Sequence, residues 1–178
     1  MKTLWIAAVV SLAGSGLAHA QSTQSLFDQH KTSIRVSFPS NPIRFDKESI
    51  QYRTRLRQAY SARVNFAGQY VVVAWGCGTG CLAGGIVDKV SGRARLLPWS
   101  IQYCCYDEEN DINPPDDLEL IQVRADSKLI ILNGVLMEEG TLGRHLFTFD
   151  GISFKPIRII PDNGAFKEAV GFGPFDGR

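Results

Sequence analysis

After Tyr60 the spacing of apolar residues switches from helical to alternating and stays so for most of the remaining chain. That switch confines the fold to short strands and tight turns, because a period of two sets successive side chains on opposite faces of a sheet. Tyr70 to Trp75 is apolar throughout and reads as a central strand. Ala83–Asp88 and Arg93–Trp99 flank a Ser91-Gly92 turn and read as a hairpin. Leu118–Arg124 and Lys128 to about Leu132 flank an Ala125-Asp126-Ser127 turn, and Asn133-Gly134 either ends that strand or makes a tight hairpin. His145–Phe149, Asp150-Gly151 and Ile152–Ile160 form the strongest hairpin pattern, since Asp-Gly suits a two-residue type I′ turn. Pro156 places the last strand at an edge or a bulge. The expected fold is mainly β (α+β at the margin), with seven or eight strands and one N-terminal helix. Its strands form an antiparallel meander, as a sandwich or partly closed barrel.

The helix precedes the switch. Asp46 suits the N-cap of a helix running to about Tyr60, Glu48 suits its first turn, and the apolar positions Ile50, Leu56, Ala59 and Tyr60 fit helical spacing loosely. Ser33–Phe38 alternates as a half-buried strand that Pro39 and Pro42 end. At the start, Lys2 is followed by an uncharged run from Leu4 to Leu17 and by Ala18-His19-Ala20. Residues 1–20 read as a secretory signal peptide cleaved near Ala20-Gln21, and residues 21–178 as a single β-rich domain, periplasmic or secreted. A membrane helix needs roughly 20 apolar residues, and Gly14, Ser15, Gly16 and His19 interrupt the run. Nothing later is long and apolar enough to span. Cleavage removes Lys2 and no acid, which leaves the mature chain without net charge and argues against nucleic acid as a partner.

All four cysteines, Cys77, Cys81, Cys104 and Cys105, lie in the exported part and suggest disulfides. Neighbouring Cα atoms are about 3.8 Å apart, too close for an unstrained bond. If all four pair, the favoured bonds therefore tie the Cys77–Cys81 loop to Cys104-Cys105. Such a cross-link is worth ~3–4 kcal/mol in the chain-entropy model. A thiol redox pair is the alternative. Cys-Cys has the wrong spacing for zinc, and no cofactor or metal is expected.

Three motifs stand out: Arg53-Thr54-Arg55-Leu56-Arg57 on the helix, Asn65-Phe66-Ala67-Gly68-Gln69-Tyr70, and Trp75-Gly76-Cys77-Gly78-Thr79-Gly80-Cys81. With the Ile86-Val87-Asp88 strand and its Ser91-Gly92 turn, they resemble a family of small, exported, uncharacterised bacterial proteins that carry a signal peptide. The resemblance covers roughly Arg53 to Trp99 and implies export and fold; its motifs carry no assigned chemistry.

Gly76, Gly78 and Gly80 permit a sharp turn whose N–H groups can form an anion nest, with Trp75, Thr79, Arg55 and Arg57 beside it; equally, they serve simply to let the cysteine loop turn. The spacing is not a dinucleotide fingerprint, since Cys81 falls where a glycine is required. His145 shares a strand face with Phe147 and Phe149 and reads as a packed histidine. The acidic stretch Asp107, Glu108, Glu109, Asp111, Asp116, Asp117 and Glu119 reads as a solvated loop. It fails the EF-hand pattern, with Ile112 in the glycine position and Leu118 at the last ligand; a looser calcium site stays open. From Asp28 to Arg63 there are 8 basic and 3 acidic residues, whereas Asp107 to Glu119 holds 7 acidic and no basic ones. Separated charge without a catalytic set points to a protein-interaction or inhibitor module whose partner is another exported or cell-envelope protein, with the acidic loop (Asp107, Glu108, Glu109, Asp111) and the Gly-rich cysteine loop as the expected contact surface. The alternatives are a small-anion binder or enzyme built on the glycine loop, and a thiol redox protein.

Overall fold

The period-two segments form one mixed sheet that folds over on itself, with a helix against the outside of each half. The computed structural model describes residues 22–35, 39, 41–103, 119–137 and 140–161. The proposed signal segment, Val36–Phe38 of the expected early strand, Cys104, Cys105, and the acidic positions from Asp107 to Asp117 lie outside them.

Among the described residues there are nine strands: β1 (Arg44–Phe45), β2 (Tyr70–Gly78), β3 (Cys81–Asp88), β4 (Arg93–Leu96), β5 (Ile101–Gln102), β6 (Ile121–Val123), β7 (Leu129–Leu136), β8 (Leu142–Phe149) and β9 (Phe154–Pro161). The order is β1-β4-β3-β5-β7-β8-β9, with β2 paired to β3 and β6 to β7. Every pairing is antiparallel except the short β1–β4 contact. The mainly β expectation holds.

Alternation decides what each face buries. Val72 and Ile86 point inward to meet Phe66, Ile130, Leu132, Phe147 and Phe149 in the central core. Val71, Trp75, Val87 and Ala94 point outward beneath helix α2 (Arg53–Ser61), which contributes Leu56 and Ala59. On the other half, Leu129, Ile131 and Leu146 face outward onto Leu26 and Phe27 of helix α1 (Thr23–Gln29). β7 is therefore buried along its whole length, one face by each core.

Several expectations need correction. Tyr70–Trp75 is a strand, but β2 pairs with β3 alone, so it is not central. Its apolar faces reflect a core on one side and α2 on the other, which needs no second strand neighbour. The expected helix is present, entered by a 3-10 turn at Ser49–Tyr52, with the Asp46 carboxylate accepting the Ser49 N–H at 2.7 Å. α1 was not expected; Ser22 caps it by accepting the Ser25 N–H. Ser33–Arg35 is not a strand, and the Arg35 N–H donates to Gly68 O at 2.8 Å instead. Asn133-Gly134 neither ends a strand nor turns; it lies inside β7. The β8–β9 hairpin is present, yet its turn runs over residues 150–153, because Asp150 Oδ1 accepts the N–H groups of both Ile152 and Ser153. Pro156 sits beside a register shift in a strand paired only with β8, as edge and bulge.

Cys77 bonds to Cys81, not across to Cys104 or Cys105. An irregular register between Gly76 and Gly78 brings the two Cα atoms to 5.1 Å, inside the usual range for a disulfide. The expected cross-link from this loop to Cys104-Cys105 is thereby excluded, because both of its sulfurs are already bonded to each other.

Candidate functional site

The strand parity that builds the core also collects charge. Ala94 faces outward beneath α2, so Arg93 and Arg95 on either side of it face inward. β1 lies parallel to β4 with Arg44 opposite Arg93, and β2 lies against β3 with Tyr70 opposite Asp88. Arg44, Arg93, Arg95, Asp88 and Tyr70 therefore line one cavity of about 310 Å³ at the margin of the sheet, facing Gly151 of the β8–β9 turn.

Local chemistry fixes these side chains. Asp88 Oδ1 accepts from the Val90 N–H and from Gln69 Nε2, both at 2.9 Å, and Oδ2 accepts from Ser91 Oγ at 2.7 Å. Gly92 follows at φ 74°, where a Cβ would lie 2.1 Å from Pro42 O, so only glycine brings that loop against the turn. The Arg44 N–H donates to Gly92 O at 2.7 Å and its guanidinium to Ser91 O at 2.9 Å. Arg95 donates to Ile152 O and lies 5.4 Å from the Phe149 ring centroid, joining β4 to the far hairpin. Arg93 has no side-chain hydrogen bond or ion pair among the described residues.

Tyr70 stands edge-on to Phe149 with 5.0 Å between centroids, and its hydroxyl donates to Gly151 O at 3.5 Å. Burial, then the neighbouring Asp88, raises its pKa above the ordinary phenol value. It stays a neutral donor. With the Asp88 carboxylate hydrogen-bonded by internal donors and the Tyr70 O–H given to Gly151 O, the cavity presents its guanidinium groups, a set suited to holding an anion.

The sequence-derived positions fall elsewhere. Trp75 is 4% exposed, stacked on Tyr52 at 4.8 Å with Arg55 over its ring at 5.8 Å. Arg57 instead lies over Phe45 at 5.5 Å, so only one of the two arginines reaches the Trp-Gly-Cys motif. Gly76, Cys77, Gly78 and Thr79 are exposed at the β2–β3 turn, whereas Gly80 is buried and its carbonyl accepts the Tyr103 N–H. Asp107, Glu108, Glu109 and Asp111 are outside the described residues, as are Cys104 and Cys105. His145 is buried, its Nε2 at 2.9 Å from Thr141 O and 3.2 Å from Gly134 O. Two carbonyl neighbours require the proton on that nitrogen, so it is the packed histidine its strand pattern implies.

Sequence reasoning missed the arginine cleft. Its signal was Arg93-Ala94-Arg95 within an expected strand, which puts both charges on the face opposite the apolar residue. Among the described residues no three metal-binding side chains cluster, and no helix is long and apolar enough to cross a membrane. Comparison of the chain with protein-family models, with curated proteins and with solved structures finds no match.

Proposed function

We propose that the protein is an exported binding module that takes an anionic group of a periplasmic or cell-envelope partner into the cleft of Arg44, Arg93 and Arg95. The observation that carries the reading is the Arg93 guanidinium, which lines the cavity with no partner among the described residues while the one carboxylate beside it is hydrogen-bonded internally. An Arg fork left open in a shaped cavity matches a carboxylate or phosphate in two-point contact. Export is supported by the apolar run ending in Ala18-His19-Ala20 and by the Cys77–Cys81 bond, which suits an oxidising compartment. The basic stretch read from sequence contributes Arg44. The cleft carries the reading rather than the glycine turn, because it gathers three guanidinium groups where the turn meets one.

Calorimetric titration with inorganic phosphate tests this. Binding by the wild type, weakened by Arg93→Ala and unchanged by Thr79→Ala, is expected. No binding, or loss with Thr79→Ala alone, would contradict the cleft as the site.

A further inference from the structure

We infer that the ligand carries at least two linked anionic groups, the second received beyond Tyr70 by Arg35 and Lys128. The inference rests on the proposed anion site and extends it. A second cavity of about 180 Å³ shares Tyr70 and Gly151 with the first and is lined by Arg35, Lys128, Gln69 and Asp150. The two cavities thus meet at one phenol, which feels Arg95 on one side and Arg35 on the other.

Charge balance repeats across that boundary. The carboxylate in the second cavity, Asp150, is occupied by the N–H groups of Ile152 and Ser153 and by Lys155 at 3.1 Å. It therefore makes no direct pair with Arg35 or Lys128, as Asp88 makes none with Arg93. Neither Arg35 nor Lys128 makes a side-chain hydrogen bond or ion pair among the described residues, and both are exposed. In the first cavity, Arg44 and Arg95 each direct one bond at a backbone carbonyl and keep further N–H donors for a ligand. A single small anion engages one side of Tyr70; a linked pair engages both.

Two sources share this chemistry, a phosphate chain and a polycarboxylate. The experiment titrates the purified protein with phosphate and tripolyphosphate, and in parallel with acetate and glutarate. Tighter binding of the linked anion by about tenfold or more is expected, as for two charge contacts of modest strength. Arg35→Gln with Lys128→Gln should remove that gain and leave the single-anion affinity near wild type. Arg53→Gln with Arg57→Gln, on the helix covering the opposite face, removes equal charge and should keep the gain. A gain in one series assigns phosphate or carboxylate; gains in both assign spacing over atom type. Equal affinity for single and linked anions, or a gain that survives loss of Arg35 and Lys128, overturns the inference while the first site stands. Failure of every anion to bind folded protein overturns the anion site itself.

Discussion

The Asn65 side chain takes the place of a strand beside Val72: its Oδ1 accepts the Val72 N–H and its Nδ2 donates to Val72 O, each at 2.8 Å. This two-sided bond closes the edge of β2 that faces away from β3. The backbones of Asn65 and Phe66 both donate to Tyr70 O, and Phe66 O accepts from the Tyr70 N–H. Truncation by Asn65→Ala leaves a half-buried N–H and C=O without these partners. We expect a loss of about 2 kcal/mol in urea unfolding, from two hydrogen bonds of ordinary net worth. A loss under about 0.5 kcal/mol would mean that water replaces the side chain at no cost.

Gly68, three residues on, has φ 81°, and a Cβ there would lie 2.2 Å from Ser33 O. Gly68→Ala meets both a disfavoured conformation and a backbone clash, so destabilisation beyond about 1 kcal/mol is expected. The Arg35 N–H bonds Gly68 O, so amide exchange at Arg35 should also accelerate in this variant. Slow, unchanged exchange would contradict the bond from the Arg35 N–H to Gly68 O.

Local chemistry in this chain was legible where a residue acts on its own neighbours. Asp46 and Leu56 mark a helix, and Asp150-Gly151 marks a hairpin between two alternating runs. The details that failed depend on competition. At Asp150 the side chain captures two N–H groups and lengthens the turn, overriding the two-residue preference. α1 offers only Leu26 and Phe27 to the core, too few to set a period before β7 and β8 are known to receive them. The arginine cleft was legible only in Arg93-Ala94-Arg95; the rest was not, because Arg44 joins Arg93 through a two-residue parallel pairing, and Tyr70 joins Asp88 through the β2–β3 register. Neither contact has a local sequence signal.

Acid should loosen the β8–β9 turn. The N–H groups of Ser153 and then Ile152, with Lys155, hold the Asp150 carboxyl well below its ordinary value of 3.8. A carboxyl depressed in the folded state contributes stability that is fully present above its unfolded value and is lost as pH falls toward the folded one. Stability should therefore drop below about pH 4, and Asp150→Asn should flatten that part of the profile. An Asp150 titration midpoint at the ordinary value, by NMR, would contradict the turn geometry.

The disulfide closes a short loop, since Cys77 and Cys81 are only four apart in sequence. The chain-entropy relation gives about 2 kcal/mol for such a loop, less than a long cross-link would supply. Cys77→Ser with Cys81→Ser should lower stability by that order and leave a folded protein, as judged by denaturation and circular dichroism. Complete unfolding would show that the bond organises far more than its own turn.

The central claim is that anions enter at the inward-facing arginines. Its most direct measurement is an NMR titration of the arginine Nε–H resonances with tripolyphosphate, with each peak assigned by substitution. Arg44, Arg93 and Arg95 should shift saturably, while Arg55 and Arg57, held over Trp75 and Phe45, stay in place. Saturable shifts confined to Arg55, or none at all, would contradict the account.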